Sequence, residues 1–187
     1  MTHYERRLPH WDTVDEPLFV TFRLHGSLPA NRVFPPERVT TSGQAFVTMD
    51  RLFDPATSGP FYLRQDVIAK LIVRALHEGE DRFQRYQRHA FVAMPNHVHL
   101  LDLREVGYPA RGFHSLVGPI KRLHRSRGKP YSGQDGRPFW QAESYDHLMR
   151  SRDEFTRIRR YMEGNPVRAG LAATPEQFPW SSAARAA

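Results

Sequence analysis

Near the middle of the chain, two apolar, β-rich runs, Gln87 to Met94 and His97 to Leu103, are separated only by Pro95-Asn96. A proline–asparagine step between such runs requires a tight reversal, so the two segments are expected to form a hairpin or a sharp strand-to-strand bend. Leu18 to Leu24 (LFVTFRL), ending near Gly26, reads as another strand, and so does Phe139 to Leu148. Arg64 to Glu78 sets Val67, Ile68, Leu71, Ile72, Ala75 and Leu76 at the spacing of one helical face, which predicts an amphipathic helix. Phe113 to Arg127 reads as a second helix. Asp153 to Gly164 reads as a third, stopped by Gly164 and Pro166. The Pro- and Gly-bearing stretch 25–62 reads as loop, interrupted by a short strand at Ala45 to Met49. This order of elements predicts an α+β domain, an antiparallel sheet covered by helices.

With 187 residues the chain is expected to hold one domain at 18–171, preceded by a polar arm at 1–17 and followed by a weakly structured tail at 172–187. It contains no cysteine, which excludes a disulfide framework, a cysteine nucleophile and a thiolate zinc site. No apolar stretch is long enough to span a bilayer, and the N-terminal residues lack the apolar core of a secretion signal, so a cytoplasmic location is expected. The net charge is +7. Six basic residues fall in the stretch from Val106 to Gln134, which has no Asp or Glu: Arg111, Lys121, Arg122, Arg125, Arg127 and Lys129. A surplus concentrated in this way suits a face that contacts phosphates, and hence a nucleic-acid partner.

Phosphate-loop, dinucleotide, zinc-protease and EF-hand patterns are absent. Two places can carry chemistry. In Met94-Pro95-Asn96-His97-Val98-His99-Leu100-Leu101, strand alternation sends His97 and His99 to one face and Val98 and Leu100 to the other. Imidazoles about 7 Å apart along one strand can share a divalent cation; the bland alternative is a pair of solvent-facing histidines. In the segment Arg157 to Val167, Tyr161 and Asn165 stand four apart, about 40° from each other on a continuous helix. Flanked by Arg157 and Arg160, they can set a phenol beside a phosphodiester with an amide oxygen at a metal. They can equally be a packed tyrosine and a helix-capping asparagine. Tyr145, with Asp146 and His147 beside it, is the rival nucleophile, and His147 and His10 are further candidate ligands or phosphate contacts.

Taken together, these segments resemble the HUH-type single-tyrosine transposases, most closely the REP-associated tyrosine transposases of bacteria. The resemblance rests on Arg7 to Trp11 with Phe19 to Leu24, Met94 to Leu101, Phe139-Trp140-Gln141 with Tyr145-Asp146-His147 and Arg150, Tyr161 to Leu171, and Pro179 to Ser182, in matching order. It implies a ferredoxin-like fold with the histidines on a central strand. It implies His97, His99 and Asn165 as ligands to Mg²⁺ or Mn²⁺, Asn165 standing where insertion-sequence relatives have a glutamine. Tyr161 would be the nucleophile that leaves a 5′-phosphotyrosine and a free 3′-OH. The substrate would be single-stranded DNA cut and rejoined at or near a hairpin of a repetitive extragenic palindrome. Lys121, Arg122, Arg125 and Arg127, with Arg111, Arg157 and Arg160, would bind DNA. The resemblance leaves monomer and homodimer both open. Two rival functions are a domesticated DNA-binding protein without catalysis and a two-histidine phosphoesterase acting on RNA; the latter would need a second His-x-Ser/Thr-like motif in another strand, and none of the segments read as strands carries one.

Overall fold

Leu18–Arg23 is buried at every position, as a strand must be when both faces of its sheet are covered. The computed structural model describes residues 2–5, 9–12, 16–27, 59–81, 86–103, 139–141 and 144–184. Its strands are β1 (Thr2–Glu5), β2 (Pro9–Asp12), β3 (Leu18–Arg23), β4 (Gln87–Ala93), β5 (His97–Leu103) and β6 (Tyr145–Leu148). Its α-helices are α1 (Asp66–Asp81), α2 (Arg152–Glu163) and α3 (Asn165–Arg168), with single 3-10 turns at Tyr62–Arg64 and Pro175–Gln177.

The main sheet has the order β4-β5-β3-β6, with every neighbouring pair antiparallel. Counted from β3, that is the strand order of a ferredoxin-like α+β fold, with the histidine strand β5 in the interior. The Pro95-Asn96 step joins β4 to β5 as expected, and Leu24 N–H donates to the Asn96 carbonyl at 2.9 Å. The expected strand at 139–148 is present in two parts: Trp140 bridges Leu24, and β6 pairs with β3.

Strand alternation divides the core in two. On one face Val20, Phe22, Val98, Leu100 and Phe91 pack with Ile68, Ile72 and Leu76 of α1. On the other, Phe19, Val92, Met94 and Leu101 pack with Ile158 and Met162 of α2 and with Phe178. Burying a side chain of this size contributes about 1.5–3 kcal/mol, so each layer is a substantial source of stability.

Residues of the expected arm pair as an antiparallel hairpin, Thr2–Glu5 against Pro9–Asp12. One expectation is corrected. The tail expected to be weakly structured is built into the fold: Ala93 N–H donates to the Trp180 carbonyl at 2.8 Å, Val92 bridges Ser181 and Phe178 is buried. Its Ala/Ser-rich composition hid two aromatic anchors that close the second core layer. The third helix ends at Gly164 as expected, and the short α3 follows at the next residue. The expected strand at 45–49 and helix at 113–127 lie outside the described residues. Among the described residues, no helix is long and apolar enough to cross a membrane.

Candidate functional site

β5 sets His97 and His99 on the α2 side of the sheet, where both are buried, at 1% and 0% exposure. The reading of two solvent-facing histidines therefore fails. Val98 and Leu100 enter the opposite core layer, as alternation requires. The two rings sit closer than the strand repeat alone would set them, with centroids 4.5 Å apart and planes at 66°.

Each ring is held through Nδ1. Nδ1 of His97 lies 2.7 Å from Oδ1 of Asn96. An amide oxygen can only accept, so Nδ1 carries the proton and the neutral ring keeps its lone pair on Nε2. Nδ1 of His99 lies 2.7 Å from Oγ1 of Thr21, across the β3–β5 ladder. A histidine fixed through one ring nitrogen, with the other turned to a ligand, is the arrangement found at metal sites. Phe19 packs on the His99 ring, with centroids 5.2 Å apart.

The sheet register brings other polar groups onto this face. Arg23 pairs with His97, and Tyr145 pairs with Thr21, itself opposite His99. Arg23 is buried, and its Nε donates to Oγ of Ser27 at 3.3 Å. Asn96, Thr21 and Arg23 are the site residues that sequence reading assigned no role. Asn96 was recognisable as a neighbour of the motif, but Thr21 becomes His99's partner only through strand pairing across 78 residues.

α2 and α3 cover the same face. Tyr161 and Tyr145 pack against the core layer that contains Phe19, Met94 and Leu101, and Asn165 is fully buried. The Tyr161 hydroxyl and Asn165 Oδ1 are buried atoms, as are the Nε2 atoms of both histidines. Arg168 lies over the Tyr161 ring, 3.9 Å from its centroid, and its Nη2 donates to the Tyr161 carbonyl at 2.8 Å. Arg157 and Arg160 are exposed on α2. Arg111, Lys121, Arg122, Arg125 and Arg127 lie outside the described residues.

His147 has a different role from the one expected of it. Its Nε2 lies 3.0 Å from Oε1 of Glu154, whose other oxygen accepts from Arg150 N–H at 2.9 Å. These bonds tie the start of α2 to β6. A cleft of ≈ 570 Å³ opens at this end of α2, lined by His89, Phe155, Arg150 and Arg152 among others. Burial, with Arg159 adding to it, holds His89 below the ordinary imidazole range.

Among the described residues, no three His, Asp or Glu side chains converge as a metal-binding group. Among the described residues, Asn165 offers a buried side-chain amide, carried by α3. Two imidazoles and an amide oxygen form a donor set that suits Mn²⁺ and accommodates Mg²⁺.

No family model matches the chain. An uncharacterized protein of Haemophilus influenzae is 27% identical over 94 residues, which cover 41% of this chain and 52% of that protein. The chain thus spans about half the length of the curated relative it matches. Among solved structures, the chain is similar to a REP-associated tyrosine transposase bound to a REP hairpin, with TM-score 0.56 and 18% identity. That likeness covers 97% of this chain and 82% of the other, and it establishes a shared fold.

Proposed function

We propose that this chain is a metal-dependent DNA strand-transferase that cleaves and rejoins single-stranded DNA near a hairpin. The observation that carries the reading is the buried pair His97 and His99, tied at Nδ1 by Asn96 and Thr21 beneath the helix that bears Tyr161. The fold shared with a transposase bound to a REP hairpin supports it.

His97, His99 and Asn165 would hold Mg²⁺ or Mn²⁺, which when bound would offset phosphoryl charge and stabilise a departing oxygen. Tyr161 supplies the nucleophile. Its phenolic oxygen forms a bond to phosphorus and loses its proton; the bond to the 3′-oxygen breaks, and that oxygen gains a proton. A phenol ionises near pH 10, so at neutral pH it depends on its surroundings for activation. The resulting phosphotyrosine keeps a phosphodiester bond, so attack by a 3′-OH reseals DNA without ATP. Arg157 and Arg160, with Arg111, Lys121, Arg122, Arg125 and Arg127, would contact the backbone.

The test incubates labelled hairpin oligonucleotides carrying single-stranded flanks with the protein, with and without Mn²⁺, and scores covalent adduct. Wild type should form adduct only with metal, and Tyr161→Phe and His97→Ala should form none while still binding the hairpin. Hairpin binding by wild type without adduct or cleavage would establish the non-catalytic DNA-binding reading instead. An adduct mapped to Tyr145 would move the nucleophile to β6.

A further inference from the structure

We infer that Arg168 is a positioning residue for Tyr161, holding the phenol ring in the orientation from which its oxygen attacks. This rests on the reading of Tyr161 as the nucleophile and adds a device to it. The two residues are seven apart, Tyr161 in the last turn of α2 and Arg168 at the end of α3, and Gly164, αR in backbone, caps the first helix directly before the second begins. Helical side chains lean toward the N-terminus, so a long arginine at position 168 reaches back over the ring two turns below.

The contact has two parts, and a simple helix cap accounts for one of them only. Nη2 donates to the Tyr161 carbonyl at 2.8 Å, satisfying a carbonyl near the end of α2. The guanidinium also lies 3.9 Å from the ring centroid, a placement that the ring's negative face attracts. The ring also packs against the second core layer. Contact with a flat cation and with a packed core layer restrains the ring.

Gly164 leaves room for this contact. A Cβ there would stand 3.1 Å from Nη1 of Arg168 and 3.2 Å from the Arg160 carbonyl. Glycine's φ at this position is ordinary, −82°, so what it supplies is space for the guanidinium. Lysine would keep the charge and could reach the carbonyl, but it has no plane to lay on the ring.

The experiment compares full-length wild type with Arg168→Met, Arg168→Lys and Gly164→Ala, with Arg74→Met on α1 as a control. Three quantities are read: hairpin affinity, single-turnover adduct formation at saturating hairpin DNA with Mn²⁺, and the ring ¹³Cζ NMR signal of Tyr161. That signal is identified by its absence in Tyr161→Phe. Arg168→Met should shift it and slow adduct formation by about 10- to 100-fold, the scale expected when a reacting group is misoriented, with hairpin affinity unchanged. Arg168→Lys should stay slow. Gly164→Ala should shift the signal and slow the reaction to a smaller degree, and it carries the test if Arg168→Met does not fold. Full rescue by lysine would overturn the inference, leaving a cap. So would weaker hairpin binding with a normal rate at saturation, leaving a phosphate contact. Adduct formation by Tyr161→Phe would instead remove the nucleophile reading, a separate result.

Discussion

At the scale of single residues, the site depends on which ring nitrogen carries the proton. Asn96 decides this for His97, because its amide oxygen cannot donate. Thr21 is less restrictive, since a hydroxyl both donates and accepts; when Nε2 of His99 faces a cation, the Thr21 oxygen accepts from Nδ1–H. Thr21→Val keeps the shape of the side chain and removes that acceptor. Loss of such an outer partner weakens metal affinity by about 10- to 100-fold, and the lost hydrogen bond costs roughly 1 kcal/mol of stability. Calorimetric titration with Mn²⁺ measures the first effect and denaturant unfolding the second; superimposable Mn²⁺ isotherms would detach His99 from the metal. The His-x-His spacing was legible in the sequence because strand alternation is local. Burial of the histidines was not. A two-residue period places them on one face, and only the covering of that face by α2 and Phe178 shows that it is interior.

Among the elements, α2 is the one on which the proposed chemistry depends, and its N-terminus is anchored by side chains. Ser151 accepts from Glu154 N–H at 3.1 Å, the N-cap contact that the Ser-x-x-Glu pattern anticipates. The glutamate in that pattern usually returns to the cap residue. Here it turns to the sheet, bonding His147 and the Arg150 N–H while only 4% exposed. Glu154→Ala strips partners from two groups at once, and hydrogen bonds to a charged group are worth about 1.5–3 kcal/mol each. A loss of roughly 3 kcal/mol in urea unfolding is therefore expected, given incomplete additivity. Glu154→Gln, which keeps one acceptor, should lose less; equal losses would mean that packing, rather than the carboxylate, anchors the helix. The sequence marked this helix to within a residue at each end, since periodicity and the glycine stop are local signals. What it missed is the short α3 that follows at once. Here Pro166 falls in the first turn of α3, where its missing N–H costs little.

At the scale of the whole molecule, and among the described residues, the helices on the two faces of the sheet differ in charge. α1 carries two basic and four acidic side chains, Lys70 and Arg74 against Asp66, Glu78, Glu80 and Asp81. α2 reverses this with Arg152, Arg157, Arg159 and Arg160 against Asp153, Glu154 and Glu163, and Glu154 is buried. Arg150 extends the basic side ahead of α2. Under the proposed function, DNA would approach from the side that carries His97 and His99. Each phosphate neutralised on single-stranded DNA contributes about −0.7 to the slope of log affinity against log salt. Arg157 and Arg160 are exposed on this face, so replacing both with Gln should flatten the slope by about 1.4 if each touches one phosphate. Replacing Lys70 and Arg74 on α1 removes the same formal charge from the acidic side and should leave the slope unaltered. Fluorescence anisotropy with a labelled hairpin over a series of salt concentrations measures both. Equal flattening by the two double variants would mean that binding senses net charge alone; flattening by the α1 pair only would put the DNA on the wrong face for Tyr161.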